Sequence, residues 1–369
     1  MKKGLNVNEL AIELDRQNRL KRDFCGDTTT MKLEPGDEAG EILLHGLRQK
    51  GELQEPMPLL NTAHAQFAER LKIPKPYYDR MREESPDLLT HNCNHWLTNS
   101  PNQRIVRTMD NRVRAFLSNR YRMLDNAEFA AAILPVVAEL GAEVRSSQIT
   151  DSRMYIKVVM PSLCRQILKP GTEMGKGHDT YYEVMAAIVL GNSEIGQGRL
   201  FCDSGIYTTG CTNLAIRKSS GYQKNHLGRA IQGEDGLDQW MSDDTRRQAD
   251  KALFAQVGDL ARASLDGRMF EQQVREIEVA KGIELSHPAK ACEEIGRRYQ
   301  MTEEETGGIL EHLMKGGDLT RYGLSSAVTR AAQDVPSYDR STEMECTGGD
   351  IITLNESQWQ TIDTEAAAK

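Results

Sequence analysis

The sequence predicts an α+β protein: a central, mostly antiparallel β-sheet with a helix across it, flanked by an N-terminal helical hairpin and a C-terminal helical region. Two changes of period carry that prediction. Apolar residues recur at helical spacing up to about Trp96, alternate at period 2 from Arg104, and return to helical spacing near Cys211. The third observation is Asp110-Asn111 between two β-rich runs, a pair suited to a two-residue hairpin turn. The divisions that follow are an arm over residues 1–60, a helical hairpin over 61–100, a β-rich core over 101–235, a helical region over 236–335 and a tail over 336–369.

Each element has a local cause. Asn8 to Leu20 has helical patterning, whereas Cys25 to Pro58 is rich in Gly, Asp, Glu and Pro and predicts loops with at most short elements. Ala63–Leu71 and Tyr77–Leu89 form two helices, because Pro74 and Pro76 break any continuous one. Arg104–Met109 and Arg112–Ser118 form the hairpin. Asp125 and Glu128 have capping-box spacing ahead of Phe129, Ile133, Val137 and Leu140, and Gly141 stops that helix. Strands are expected at Ala142–Ile149, Met154–Met160, Val184–Leu190 and Leu200–Thr208. Helices follow over 237–333, with caps at Ser286 and at Thr302 paired with Glu305, and the tail from Asp334 reads as irregular or a short hairpin around Ile351-Ile352.

Composition excludes several classes. Hydrophobic residues at 39% and charged residues at 27% of 369 describe an ordinary globular chain. No apolar run approaches the ~20 residues a membrane span needs. Charged helical sequence follows Met1 without an apolar segment or cleavage site, so a cytoplasmic location is expected. Seven scattered cysteines without a Cys-x-x-Cys pair fit reduced thiols. The net charge of −8 is unevenly spread: residues 104–229 hold 17 basic and 11 acidic residues, net +6, and the remainder is net −14. A nucleic-acid face is permitted there.

The hairpin supplies the sharpest candidate site. With Asp110-Asn111 as the turn, Arg107 faces Arg114, and Arg107, Arg112 and Arg114 share one face with Ile105 and Phe116. Like charges directly opposite repel unless something negative lies between them. Phosphate would serve; so would carboxylates from the acidic flanks, and a solvated face is the third reading. Arg120 and Arg122 extend the strip around Tyr121, where a base could stack. A second basic segment contains Arg217, Lys218, Tyr222 and Lys224, with a solvated loop as the plain alternative.

Other patterns carry less. His91 and His95 stand four apart, a metal-site spacing, but no third ligand is identifiable, and hydrogen-bonded helix-end histidines are the plainer reading. His178-Asp179 could be imagined with Cys202 or Cys211 as base and nucleophile. Gly171 to Gly177 misses the phosphate-loop spacing, and Gly191, Gly196 and Gly198 miss the dinucleotide spacing. No catalytic motif emerges, and no cofactor or metal is expected.

The run from Arg112 through Tyr121 to Asn126, the triplet Cys211-Thr212-Asn213, and the stretch Tyr322 to Arg330 resemble an uncharacterised phage, prophage and plasmid family, domain of unknown function 932. The resemblance spans roughly residues 65–355; members often have Gly after the triplet, where this chain has Leu214. It implies a mobile-element setting and supplies no reaction. More distantly, the order of helix, sheet and helix is similar to phage single-strand annealing proteins of the Erf and RecT type, which oligomerise and lay single-stranded DNA along a basic groove; this is fold-level analogy. Together these give the functional expectation: a non-enzymatic protein that binds or anneals single-stranded nucleic acid through Arg107, Arg112, Arg114, Arg120, Tyr121, Arg122, Arg217, Lys218, Tyr222 and Lys224, with self-association as a further expectation. An adaptor or inhibitor binding a host protein is the first alternative. A metal-dependent enzyme using His91, Cys93 and His95 is the second.

Overall fold

The computed structural model describes residues 1–168, 181–218, 223–224 and 243–363, and it is an α+β fold. Helix α1 (Val7–Leu20) starts at a capping box in which Asn6 accepts from the Glu9 amide and the Glu9 side chain accepts from Asn6. The stretch Cys25 to Pro58, expected as loops with at most short elements, and the residues just before it carry six short strands: β1 (Arg22–Asp27), β2 (Lys32–Pro35), β3 (Ile42–His45), β4 (Arg48–Gln49), β5 (Glu52–Leu53) and β6 (Met57–Pro58). Their few apolar residues are well placed, since Phe24, Leu33, Ile42 and Leu44 are buried with Phe67, Tyr78 and Leu97 in one core. Helices α2 (Asn61–Arg70), α3 (Lys75–Glu84) and α4 (Pro86–Asn99) complete that unit. The expected helix over Tyr77–Leu89 is broken at Ser85, because Pro86 restricts the residue before it.

The hairpin of β7 (Gln103–Met109) and β8 (Arg112–Ser118) turns at Asp110 and Asn111, whose φ values of 52° and 57° are those of a type I′ turn. It does not join the large sheet; it pairs with β1 in a three-stranded sheet. Helix α5 (Asn126–Glu139) follows, ending at Gly141 with φ 68°. Its N-cap Asp125 makes no capping bond, because that carboxylate is engaged elsewhere.

The large sheet is antiparallel, ordered β13 (Asn213–Arg217), β12 (Leu200–Thr208), β11 (Tyr181–Asn192), β10 (Met154–Leu168) and β9 (Glu143–Ile149), with β14 (Gln223–Lys224) also beside β12. The chain was expected to turn helical near Cys211; it makes β13 first. Gly210 and Thr212 take the positive φ of the connecting turn, leaving Leu214 buried in the strand. Both faces of the sheet carry apolar residues, as alternation with two buried sides requires. Ile156, Val158, Ile188 and Cys202 pack under α5, α6 (Asp243–Ser264) and α7 (Gly267–Lys281). Tyr155, Val189, Phe201 and Ile216 face the other way, toward Tyr338 and Cys346.

Those two residues belong to α11 (Tyr338–Thr353), which with α8 (Pro288–Arg298), α9 (Glu303–Gly316), α10 (Arg321–Ala331) and α12 (Glu356–Asp363) shares a separate core. Through Asp363 the tail is therefore helical rather than irregular or hairpin. Thr302 and Glu305 form the expected capping box, whereas at α8 the N-cap position falls to His287 rather than Ser286 and carries no side-chain capping bond. A buried ion pair, Lys157 with Glu345, ties α11 to the sheet, and the Tyr338 hydroxyl lies 2.8 Å from Ser146 Oγ.

Candidate nucleic-acid interface

The arginine face expected on the hairpin is not an open anion site. A bulge between Arg107 and Thr108 places Arg107 opposite Ala115, so Arg107 and Arg114 are not cross-strand partners. Arg107 has no exposed surface. Its Nε and Nη2 donate to Asp23 at 2.7 and 3.0 Å, Nη2 also to Asp125 at 2.8 Å, and Nη1 to the Glu194 carbonyl at 2.9 Å. Arg114 donates to the Glu194 carboxylate at 2.5 Å, and Lys21 lies 2.7 Å from Asp125. Three cations thus meet three carboxylates, and the cluster is internally neutral. Burial pushes the Asp125 carboxyl up, but Arg107 and Lys21 outweigh it and hold it below its ordinary value.

The remaining expected residues separate. Arg217 on β13 pairs with Glu276 and braces α7 against the sheet, whereas Arg122, in the segment before α5, pairs with Asp250 on α6. Arg112 and Arg120 are exposed. Tyr222 lies outside the described residues, as do Gly171 to Gly177, His178 and Asp179; Lys224 is described only by its place on β14. Of the eight whose side chains are described, Tyr121 and Lys218 line a cleft on the large sheet.

That cleft has a volume of about 690 Å³. Its floor is the sheet face that α11 leaves uncovered, its walls are α2 on one side and α11 on the other, and its rim is the turn 193–198. Arg70, Arg153, Arg199 and Lys218 supply cations; Glu69, Asp203 and Glu343 supply carboxylates; Tyr121, Tyr155 and Phe201 supply rings. Sequence reasoning missed Arg70, Arg153 and Arg199. The signal for the last was alternation: Arg199, Phe201 and Asp203 fall on one side of β12, on which Leu200 and Cys202 turn toward α6.

The floor is built by registered rows. Tyr155, Gly191 and Phe201 are neighbours across three strands, and a Cβ on Gly191 would lie 2.3 Å from the Phe201 ring, so only glycine lets that ring lie over the strand. The next row is Lys157, Val189 and Asp203. Tyr121, though read as a stacking platform, spends its hydroxyl on the rim: it donates to the Ser193 carbonyl at 2.9 Å and accepts from the Gly196 amide at 3.1 Å. Gln66 donates to the Ile195 carbonyl at 2.7 Å, and Arg153 donates to the Gln197 carbonyl at 2.7 Å. Glu194 accepts from the Asn126 amide at 2.7 Å and from Arg114. The buried charge cluster therefore holds the turn that rims the cleft.

The constellation of His91, Cys93 and His95 does not assemble, and the His178 and Asp179 considered beside Cys202 or Cys211 lie outside the described residues. Cys93 is fully buried and its thiol is pushed up to about 12 by burial, while His91 and His95 stand on the exposed side of α4. Among the described residues no three His, Cys, Asp or Glu side chains are grouped to hold a metal. Cys202 faces away from the cleft, and Cys346 within it is pushed up to about 12, mainly by burial, so it carries a thiol rather than a nucleophilic thiolate. No helix among the described residues is long and apolar enough to cross a membrane. No family model, curated protein or solved structure matches the chain.

Proposed function

We propose that the chain is a non-catalytic protein that binds single-stranded nucleic acid in this cleft, not across the hairpin. The observation that carries the reading is the combination of Arg70, Arg153, Arg199 and Lys218 around a floor containing Tyr155 and Phe201. Cations that track a backbone beside aromatic rings are the chemistry of strand binding. The volume lies within the ~300–1,000 Å³ of ligand pockets, so the walls take one or two nucleotides at a time. A mobile-element setting, a cytoplasmic location and self-association on the strand belong to the same proposal, the first resting on the family resemblance alone.

The three carboxylates of the cleft temper the electrostatics. With three or four phosphate contacts and about 0.7 counterions released per contact on a single strand, log Kd should change with log salt by a slope of about 2 to 3. Anisotropy titrations of a labelled oligonucleotide from low to moderate salt measure it. Absence of binding at low salt overturns the reading.

A protein partner is the second reading, and one observation favours it. On α3 and α4, Tyr77, Leu88 and Trp96 are 50%, 57% and 43% exposed. Large apolar side chains gathered on one helical unit suit a protein contact. Pull-down from host lysate with native chain and with a Leu88→Ser, Trp96→Ser double variant separates the two: nuclease-resistant capture lost in the variant supports the partner.

A further inference from the structure

We propose that Asp203 makes the cleft selective for nucleobases bearing an exocyclic amino group, namely cytosine, adenine and guanine, over thymine and uracil. The inference deepens the single-strand reading and rests on it. Asp203 lies on β12, two residues beyond Phe201 on the same side of the strand, and it lines the cleft while only 3% of its surface is exposed. A carboxylate in that position stands at the bottom of the site, below the cations at the cleft's edge, where a base rather than a phosphate arrives. Arg199 is partly exposed and Lys218 is exposed, and neither forms an ion pair among the described residues, so the backbone has cations to meet while the base points inward.

The chemistry of the floor then discriminates. An ionised carboxylate is acceptor-only and has about four acceptor positions, so it takes a further donor in addition to contacts within the protein. Cytosine, adenine and guanine each present an amino group, and carboxylate acceptance from the cytosine amino group is a known pairing. Thymine and uracil present their single ring N–H between two carbonyls, so a carboxylate oxygen that accepts from it meets a carbonyl oxygen on each side. Acceptors brought that close repel, so this contact is weaker than one made to an amino group. The rings of Tyr155 and Phe201, set edge to face at 64° with centroids 6.4 Å apart, form the apolar part of the floor beside it.

The test compares labelled twelve-nucleotide strands of deoxycytidine and of deoxythymidine, pyrimidines of similar size, by anisotropy in one low-salt buffer. The native chain should bind the cytidine strand about tenfold to a hundredfold more tightly. Asp203→Asn presents an amide that can donate to a thymine carbonyl, so the ratio should collapse toward one, chiefly by tighter thymidine binding. A thermal melt checks that the variant folds, and the native ratio stands as a measurement without it. Equal binding of the two strands by the native chain overturns the role of Asp203 and leaves strand binding intact. An unchanged ratio in a folded Asp203→Asn variant also overturns it. Failure of both strands to bind overturns the single-strand reading and this inference together.

Discussion

Arg107 is the residue whose substitution says most about the interior. Replacing it with Gln leaves Asp23 and Asp125 facing each other without their shared cation, and removing one partner of a buried charge pair costs about 3–5 kcal/mol. Chemical denaturation of Arg107→Gln should show that loss; unchanged stability would contradict the buried cluster. His64 offers a pH test. It is buried beside the Tyr78 hydroxyl at 3.0 Å, and burial, aided by Arg82 and Lys75, lowers it from the ordinary value near 6.5 to about 3. The unfolded chain therefore binds a proton that the folded chain does not, and stability should fall as pH drops below 6.5, by about 1.4 kcal/mol per pH unit until about 3. Asp125 adds to this at the acid end: its carboxyl is held low when folded, so its contribution is present above the ordinary carboxylate range and is lost as pH falls through the depressed value. His64→Asn should flatten the slope between pH 6 and 4 in denaturation midpoints; a slope equal to the native one would refute the assignment.

At the scale of elements, the turn 193–198 is where fold and site meet. Tyr121→Phe removes both hydroxyl contacts to that turn without touching a charge. It should cost about 1 kcal/mol or more of stability, since the carbonyl of buried Ser193 loses its partner while the exposed Gly196 amide can turn to water, and weaken strand binding in step. Intact binding in a destabilised variant would separate the turn from the site. The hairpin shows how far sequence reaches at this scale. Asp110-Asn111 fixed Thr108 opposite Val113 and Met109 opposite Arg112, as observed; the bulge beyond them moved Arg107 from Arg114 to Ala115. Period-2 counting assumes an unbroken ladder, and nothing local announces an extra residue at arginines that meet carboxylates from three distant segments. Helix α11 was illegible for a different reason. Gly348 and Gly349 weaken helix propensity, yet a Cβ on Gly349 would lie 2.0 Å from the Ile216 carbonyl, and one on Gly348 would lie 2.3 Å from a Thr329 methyl. The glycines serve close packing of α11 on β13 and α10, which only the assembled fold reveals.

For the whole molecule, the basic middle of the sequence proved a poor guide to where positive charge stands. Arg107, Arg114, Arg122 and Arg217 are consumed by carboxylates, two of them from within the same middle segment in Asp125 and Glu194. Cations lining the cleft come from α2, from the turn before β10, and from the ends of β12 and β13, brought together by sheet order. Because the cleft is walled by α2 and α11, elements some 270 residues apart in sequence, a ligand there bridges the N-terminal unit and the C-terminal helices. Binding to the folded state alone stabilises it by about 2.7 kcal/mol at a hundredfold excess over Kd, so saturating oligonucleotide should raise the melting temperature.

The most direct measurement is a low-salt oligonucleotide titration of three chains: native, Arg199→Gln with Lys218→Gln, and Arg112→Gln with Arg120→Gln. Both doubles change exposed or half-exposed cations and should melt within about 0.5 kcal/mol of the native chain. A strand in the cleft requires the first double to weaken binding by about tenfold or more and to lower the salt slope by about 1.4, two contacts at about 0.7 each, while the second binds as the native chain does. Loss confined to the hairpin double, or equal binding by all three, would contradict a strand in the cleft.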